Sequence, residues 1–221
     1  MDQARPGRDH GDEPAEAGAR EKTTNAEAKI LDAAEQVFAQ YGFRGATTAM
    51  IAERAGVTKS NIYYYHRSKE ALYRALLNGI LKVWADTLRL IDEDKSPEDC
   101  IRLYLRRKME FSRARPQLSR IFANEIISGA PHIGDQIAAA TRPLLEEKAA
   151  LIARWIEEGR ISPAVNPTFL IFMLWASTQA YADFAAQMQI LLGKTKLEPA
   201  DYDGALDTIT AVALGGALPR D

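Results

Sequence analysis

One cysteine, Cys100, stands in a chain of 221 residues, so no internal disulfide can form and the fold relies on its apolar core. That cysteine usage suits a reducing compartment, and no signal-peptide pattern opens the chain, which sets the expectation of a cytoplasmic protein. Histidine is nearly as scarce. His10, His66 and His132 lie too far apart for metal-ligand spacing. There is no phosphate-binding glycine loop and no nucleophile elbow, so no catalytic residue, metal or cofactor is expected and the chain does not read as an enzyme. No apolar run nears the length of a membrane span, so no membrane partner is expected. A strong net charge is also missing. The formal value is −2, and taken whole it points to no nucleic acid.

What is present is an ordinary globular composition, 47% hydrophobic and 26% charged, enough to bury a sizeable core. The charge, however, is not evenly spread. Residues 1–22 carry four basic and six acidic side chains, whereas residues 23–82 carry eight basic and five acidic ones. The basic excess is therefore confined to one N-terminal segment, where it supports a DNA contact only if a motif agrees.

Residues 1–22 are rich in charge, Gly and Ala without apolar periodicity, and are expected to form a disordered arm. Helical spacing then dominates, with no convincing strand alternation, and the expected fold class is all-α. A first helix from near Asn25 carries the stripe Ile30, Ala34, Val37, Phe38 and Tyr41 and ends at Gly42. A short second helix follows Thr47-Thr48 and stops at the Gly56 turn. Thr58 caps a third over Lys59–Tyr64, and Ser68 caps a long fourth that runs to Trp84. Later helices are announced by Ser96-Pro97 and Asn166-Pro167, a capping residue before proline at the first helical position. Others are expected over about 117–128, 133–159, 167–192 and 200–214, the second of these interrupted at Pro143.

Three helices with a glycine turn and a polar third helix fit a helix-turn-helix. Small Ala52, Ala55 and branched Val57 let the second and third helices approach at a steep angle. Lys59, Ser60 and Asn61 occupy the turn that meets base edges, where Lys donates to guanine and Asn can pair with adenine. Tyr63, Tyr64 and Tyr65 add hydroxyls, and Lys69 can neutralise a phosphate beside a helix N-terminus. Each of these side chains taken singly could equally be a surface or core residue.

The run Gly42-Phe43-Arg44-Gly45-Ala46-Thr47-Thr48, then Ile51–Val57, Tyr63 and Ser68-Lys69-Glu70-Ala71-Leu72, resembles the DNA-binding domain of the TetR family of regulators. The resemblance implies a DNA-binding domain over 23–70 and a helical effector-binding and dimerisation domain over 71–221. It implies that Lys59, Ser60, Asn61 and Tyr63 touch bases, while Thr48, Tyr64, Tyr65 and Lys69 hold the backbone of double-stranded operator DNA. His66 departs from the family pattern, which usually has an apolar residue there.

From Glu110-Phe111-Ser112 through Glu125–Pro131, and most densely over Leu170–Ala185, the chain is similar to the branch of that family that responds to uracil and thymine. This implies a homodimeric regulator, in all expectation a repressor, released by a pyrimidine. The residues themselves accommodate a flat polar ligand. Trp175, Gln179 and Asp183 share one helix face at i, i+4 and i+8, with Tyr181 adding polarity nearby. Indole can stack on a heterocycle and the Gln179 amide can match its edge, with Trp84 on the long fourth helix as a further contact. These groups could instead be core or interhelical contacts. A more apolar effector, as in efflux or lipid regulation, is the alternative within the family, although it would leave the polar groups of that face unpaired. A helical adaptor that binds only proteins is a further alternative.

Overall fold

The computed structural model describes residues 13–219, with side chains from Asn25 onward; the regular secondary structure of the described residues is all helix, and they separate into two units, to Leu72 and from Tyr73. Residues 1–12 of the expected arm lie outside the described residues. Residues 13–22 are helical: α1 runs Glu13–Gly45, so it begins well before Asn25. The segment Ala15-Glu16-Ala17 and Ala19-Arg20-Glu21-Lys22 explains this, because these residues have high intrinsic helix propensity even without an apolar stripe.

The first unit is organised by α1, α2 (Thr48–Ala55) and α3 (Lys59–Tyr65). Its core is Ile30, Ala34, Val37, Phe38, Ile51, Ile62 and Leu72, all essentially buried. Gly42 breaks α1 as expected, with φ +64 in the left-handed region. Of the threonine pair, Thr47 is the cap of α2 and accepts from Met50 N–H at 3.2 Å. Gly56, at φ +65, ends that helix and turns the chain into α3.

The second unit contains most of α4 (Lys69–Leu88), then α5 (Pro97–Ala114), α6 (Pro116–Ile127), α7 (Gly134–Gln136), α8 (Arg142–Glu157), α9 (Pro167–Asp183), α10 (Ala185–Leu192) and α11 (Pro199–Ala217). Its core joins α5, α8, α9 and α11 through Leu105, Ile152, Trp155, Ile171, Leu174 and Leu214. A buried Ser112 hydroxyl donates to the Thr178 carbonyl at 3.0 Å and ties α5 to α9. The two proline-marked starts are where expected, capped by Ser96 and Asn166.

Two departures matter. The helix expected over 167–192 is two helices, broken at Phe184, with neither proline nor glycine at the break. The interruption at Pro143 takes the form of a π-helical turn, Ile137–Thr141, whose closing bond runs from Arg142 N–H to Ile137 C=O. Proline has no N–H for the bond one turn back, and the chain widens its spacing just before it.

Candidate nucleic-acid interface and effector cavity

In the first unit, Lys59, Ser60 and Asn61 are exposed together on the first turn of α3. The Thr58 hydroxyl caps this turn by accepting from Asn61 N–H at 3.3 Å, and it also bonds the Ser60 hydroxyl and the Asn61 side-chain oxygen. One threonine thus both stabilises the helix and orients two of its polar side chains. Tyr63 is half-exposed, with its hydroxyl 3.3 Å from Thr48 Oγ1, while Tyr64 is 78% exposed and lies edge-on to Tyr65. Around the buried Ile62, α3 thus presents Lys59, Ser60, Asn61, Tyr63 and Tyr64 to solvent, with Tyr65 partly buried. Lys69 is placed differently. Its ammonium donates to the Phe43 and Ala46 carbonyls at 2.7 and 2.9 Å and sits over the Phe43 ring, holding the end of α1. Only one of its three N–H donors remains for a phosphate.

His66 closes α3 and is buried, with Nε2 lacking a hydrogen-bond partner and Glu27 at 3.9 Å. Burial lowers its pKa from the usual histidine value, with Glu27 pulling the other way.

The second unit holds a partly open cavity of about 490 Å³, lined from α4, α5, α6, α7, α8, α9 and the π turn. Trp84 and Trp175 both line it, their ring centroids 5.8 Å apart, and Phe122 stacks edge-on against Trp84 at 4.3 Å. The walls are mostly carbon. Trp84 Nε1 is buried without an acceptor.

Behind Trp175 runs a hydrogen-bonded chain. Trp175 Nε1–H donates to Gln179 Oε1, Gln179 Nε2 donates to Asp183 Oδ2 at 2.8 Å, and Ser119 Oγ donates to Asp183 Oδ1 at 2.6 Å. The i, i+4, i+8 spacing does bring these three α9 residues onto one face, but only Trp175 lines the cavity. The Gln179 amide already spends its acceptor and one of its donors within the protein. Tyr181 lies elsewhere, with Tyr202 at 6.4 Å between centroids and near Met109.

Sequence reasoning missed Lys108. It is 3% exposed, lines the cavity, and holds its ammonium 4.3 Å above the centre of the Trp84 ring. Burial pulls its pKa down to about 7, against the attraction of Asp183. A signal was available: Tyr104, Lys108 and Ser112 recur every four residues on the buried stripe of α5, and a lysine on an apolar stripe is anomalous. Arg142 and Thr141 line the same cavity and became recognisable only once the π turn was visible. Among the described residues, no group of three or more His, Cys, Asp and Glu could hold a metal ion.

Residues 30–76 match the family model for bacterial regulatory proteins of the tetR family, and residues 77–220 match that of the YcdC-like protein C-terminal region. The chain belongs to the TetR family. It is 42% identical over 204 residues to the HTH-type transcriptional regulator RutR of Escherichia coli K12, covering 92% of this chain and 96% of that one. The fold is shared with the ketosteroid transcriptional regulator KstR2 of Mycobacterium tuberculosis, at TM-score 0.70 and 19% identity over 88% of this chain and 95% of that one. It is shared too with AibR, solved with isovaleryl coenzyme A and operator DNA, at TM-score 0.64 and 18% identity over 85% and 97%. This TetR-family chain is a transcriptional regulator with an N-terminal helix-turn-helix, and its relatives are regulators rather than enzymes. No described helix is long and apolar enough to cross a membrane.

Proposed function

We propose that this regulator binds a near-palindromic operator as a homodimer and represses transcription until a pyrimidine such as uracil or thymine enters the cavity of the second unit. The observation that carries the effector is the pair of indoles, Trp84 and Trp175, lining one cavity with an unpaired N–H between carbon walls. A planar heterocycle has a face to stack on indole and an edge to accept that N–H. The similarity of Leu170–Ala185 to the pyrimidine-responsive branch supports the same ligand.

In this reading Lys59, Ser60, Asn61 and Tyr63 meet base edges, and Thr48, Tyr64, Tyr65 and the remaining donor of Lys69 meet the phosphate backbone. Trp84 and Trp175 contact the ligand. Gln179 and Asp183 hold the Trp175 indole in place, and the Gln179 amide can exchange an internal bond for the ligand edge. The paired recognition helices of the dimer would lie about one DNA turn apart, roughly 34–36 Å. A ligand that favours another spacing lowers operator affinity by the same coupling free energy, typically about 1–3 kcal/mol. Trp84 belongs to α4, the helix that leaves the helix-turn-helix, so a ligand touching it acts on the element connecting the two units.

The mostly apolar cavity wall favours a second reading, a regulator released by a greasy effector. An acyl chain would leave the Trp84 N–H and the Lys108 ammonium unpaired. Calorimetric titration with uracil and thymine, alongside Trp175→Ala and Gln179→Ala, separates the two readings. Saturable binding at roughly micromolar concentration, lost in both variants, is the expected result. No heat from either base removes the pyrimidine and leaves the DNA-binding dimer standing.

A further inference from the structure

The cavity is unbalanced in hydrogen-bonding capacity. Its nitrogen donors are the Lys108 ammonium, the Trp84 N–H, the exposed Arg142 guanidinium and the Trp175 N–H, the last already given to Gln179, and no carboxylate lines it. The side-chain oxygens lining it are the hydroxyls of Thr141 and Tyr104 alone. Among the described residues, Lys108 meets no hydrogen-bond acceptor or ion-pair partner; its ammonium faces the Trp84 ring and feels Asp183 only at longer range. Asp183 is itself engaged through both oxygens by Ser119 and Gln179. A lysine that is 3% exposed, without a counter-charge in contact, shares the cavity lining with an unpaired indole N–H and with Arg142. Such an array calls for negative charge spread over several acceptors.

A pyrimidine-2,4-dione can supply that charge. Its ring N–H is weakly acidic, and the anion left by its loss is delocalised over the ring nitrogen and the flanking carbonyl oxygens. We propose that the cavity binds its pyrimidine as the ring anion, with the Lys108 ammonium as counter-ion and the Trp84 N–H donating to the same ligand. The proton balance closes within the site. The ring N–H bond breaks, its proton joins the Lys108 amine, and an anion and an ammonium form from two neutral partners. Burial leaves Lys108 divided between ammonium and amine near neutral pH when the cavity is empty, and a ligand anion beside it supplies the counter-charge that draws it back to the ammonium. This inference rests on the pyrimidine reading given above.

Ring acidity is the variable that tests it. A fluorine at C5 makes the ring more acidic with little change of size, and it weakens the carbonyls as acceptors. Anion binding and neutral carbonyl binding therefore predict opposite trends. Calorimetric titration of the full-length dimer at pH 7.5 with uracil, 5-fluorouracil and, as a control for bulk at C5, thymine is to be run on the wild type, Lys108→Met and Lys108→Arg. The expected result is that 5-fluorouracil binds the wild type roughly tenfold more tightly than uracil, with thymine showing no such gain. The preference should fall within about twofold in Lys108→Met and persist in Lys108→Arg, which keeps a permanent charge. Equal or weaker binding of 5-fluorouracil by the wild type, or an unchanged preference in Lys108→Met, overturns the proposal while leaving the pyrimidine assignment intact. Failure of all three ligands to bind the wild type overturns that assignment and this proposal together.

Discussion

Lys108 and His66 are both buried bases, and each makes a stability prediction whose sign follows from proton linkage. With the cavity empty, the folded protein holds a proton on Lys108 only below about pH 7, whereas the unfolded chain holds it up to the ordinary lysine range. Between those limits the unfolded state binds more protons, so stability rises with pH across that window, and the penalty is fully present below it. Asp183 opposes the shift without cancelling it. Lys108→Met should therefore raise the Tm of the ligand-free protein at pH 6, by an amount worth about 1–3 kcal/mol, and the gain should shrink as pH rises past 8. Thermal unfolding at three pH values checks this; an unchanged or lowered Tm at pH 6 would contradict it. His66 behaves alike at lower pH. Its folded-state pKa lies below the usual 6.5 because burial outweighs Glu27. Stability of the first unit is thus complete well above pH 6.5 and declines as pH falls through the folded value. His66→Phe restores the apolar residue that the family usually has there. The Tm difference between variant and wild type should widen between pH 7.5 and 5.5.

At the scale of the element, capping decides where the DNA-facing helix begins. Thr58 accepts from Asn61 N–H and also engages the side chains of Ser60 and Asn61. Thr58→Ala should cost about 1 kcal/mol of stability and weaken operator binding several-fold beyond that, because two proposed base contacts lose their orientation. Pyrimidine affinity should not move, since the cavity is lined only by residues from Leu81 onward. Parallel operator and effector titrations test the separation. This is also the scale at which the sequence was most legible. Gly42, Gly56, Thr58, Ser96-Pro97 and Asn166-Pro167 all act locally, and each does in the structure what its chemistry requires. Trp84 and Trp175, which do line the cavity, were singled out by the family resemblance and by the place of Trp84 on the long fourth helix, since a Trp at helical spacing alone reads equally as core. What was not legible arose from tertiary choices. Helical spacing could place Gln179 and Asp183 on the face of Trp175, but not show that the amide is satisfied inside the protein. It could not show that Tyr181 belongs with Tyr202, or that Lys69 serves two carbonyls of α1. The break at Phe184 has no breaker residue to announce it.

For the whole molecule the question is what covers the outer face of α9 and α11. Phe169 and Val212 are 66% and 68% exposed, and they border one shallow groove with Leu170, Met173, Ala213 and Gly216. A two-fold packing of α9 and α11 against their counterparts would bury this surface in the self-complementary manner of symmetric dimers. The glycine and alanine positions of α11 allow close approach of helices there. Phe169→Asp combined with Val212→Asp places two carboxylates on each side of that contact, at positions exposed in the single chain. The isolated subunit should keep its helical content, because neither residue belongs to the buried core. Sedimentation should show a monomer. Operator affinity should fall by at least about 10²-fold, since two half-sites would no longer be held by one molecule. Pyrimidine binding should survive, because neither Phe169 nor Val212 lines the cavity. Retention of both the dimer and tight operator binding would instead place the interface on another surface. A monomer that also loses the pyrimidine would mean that the cavity takes its shape only within the dimer.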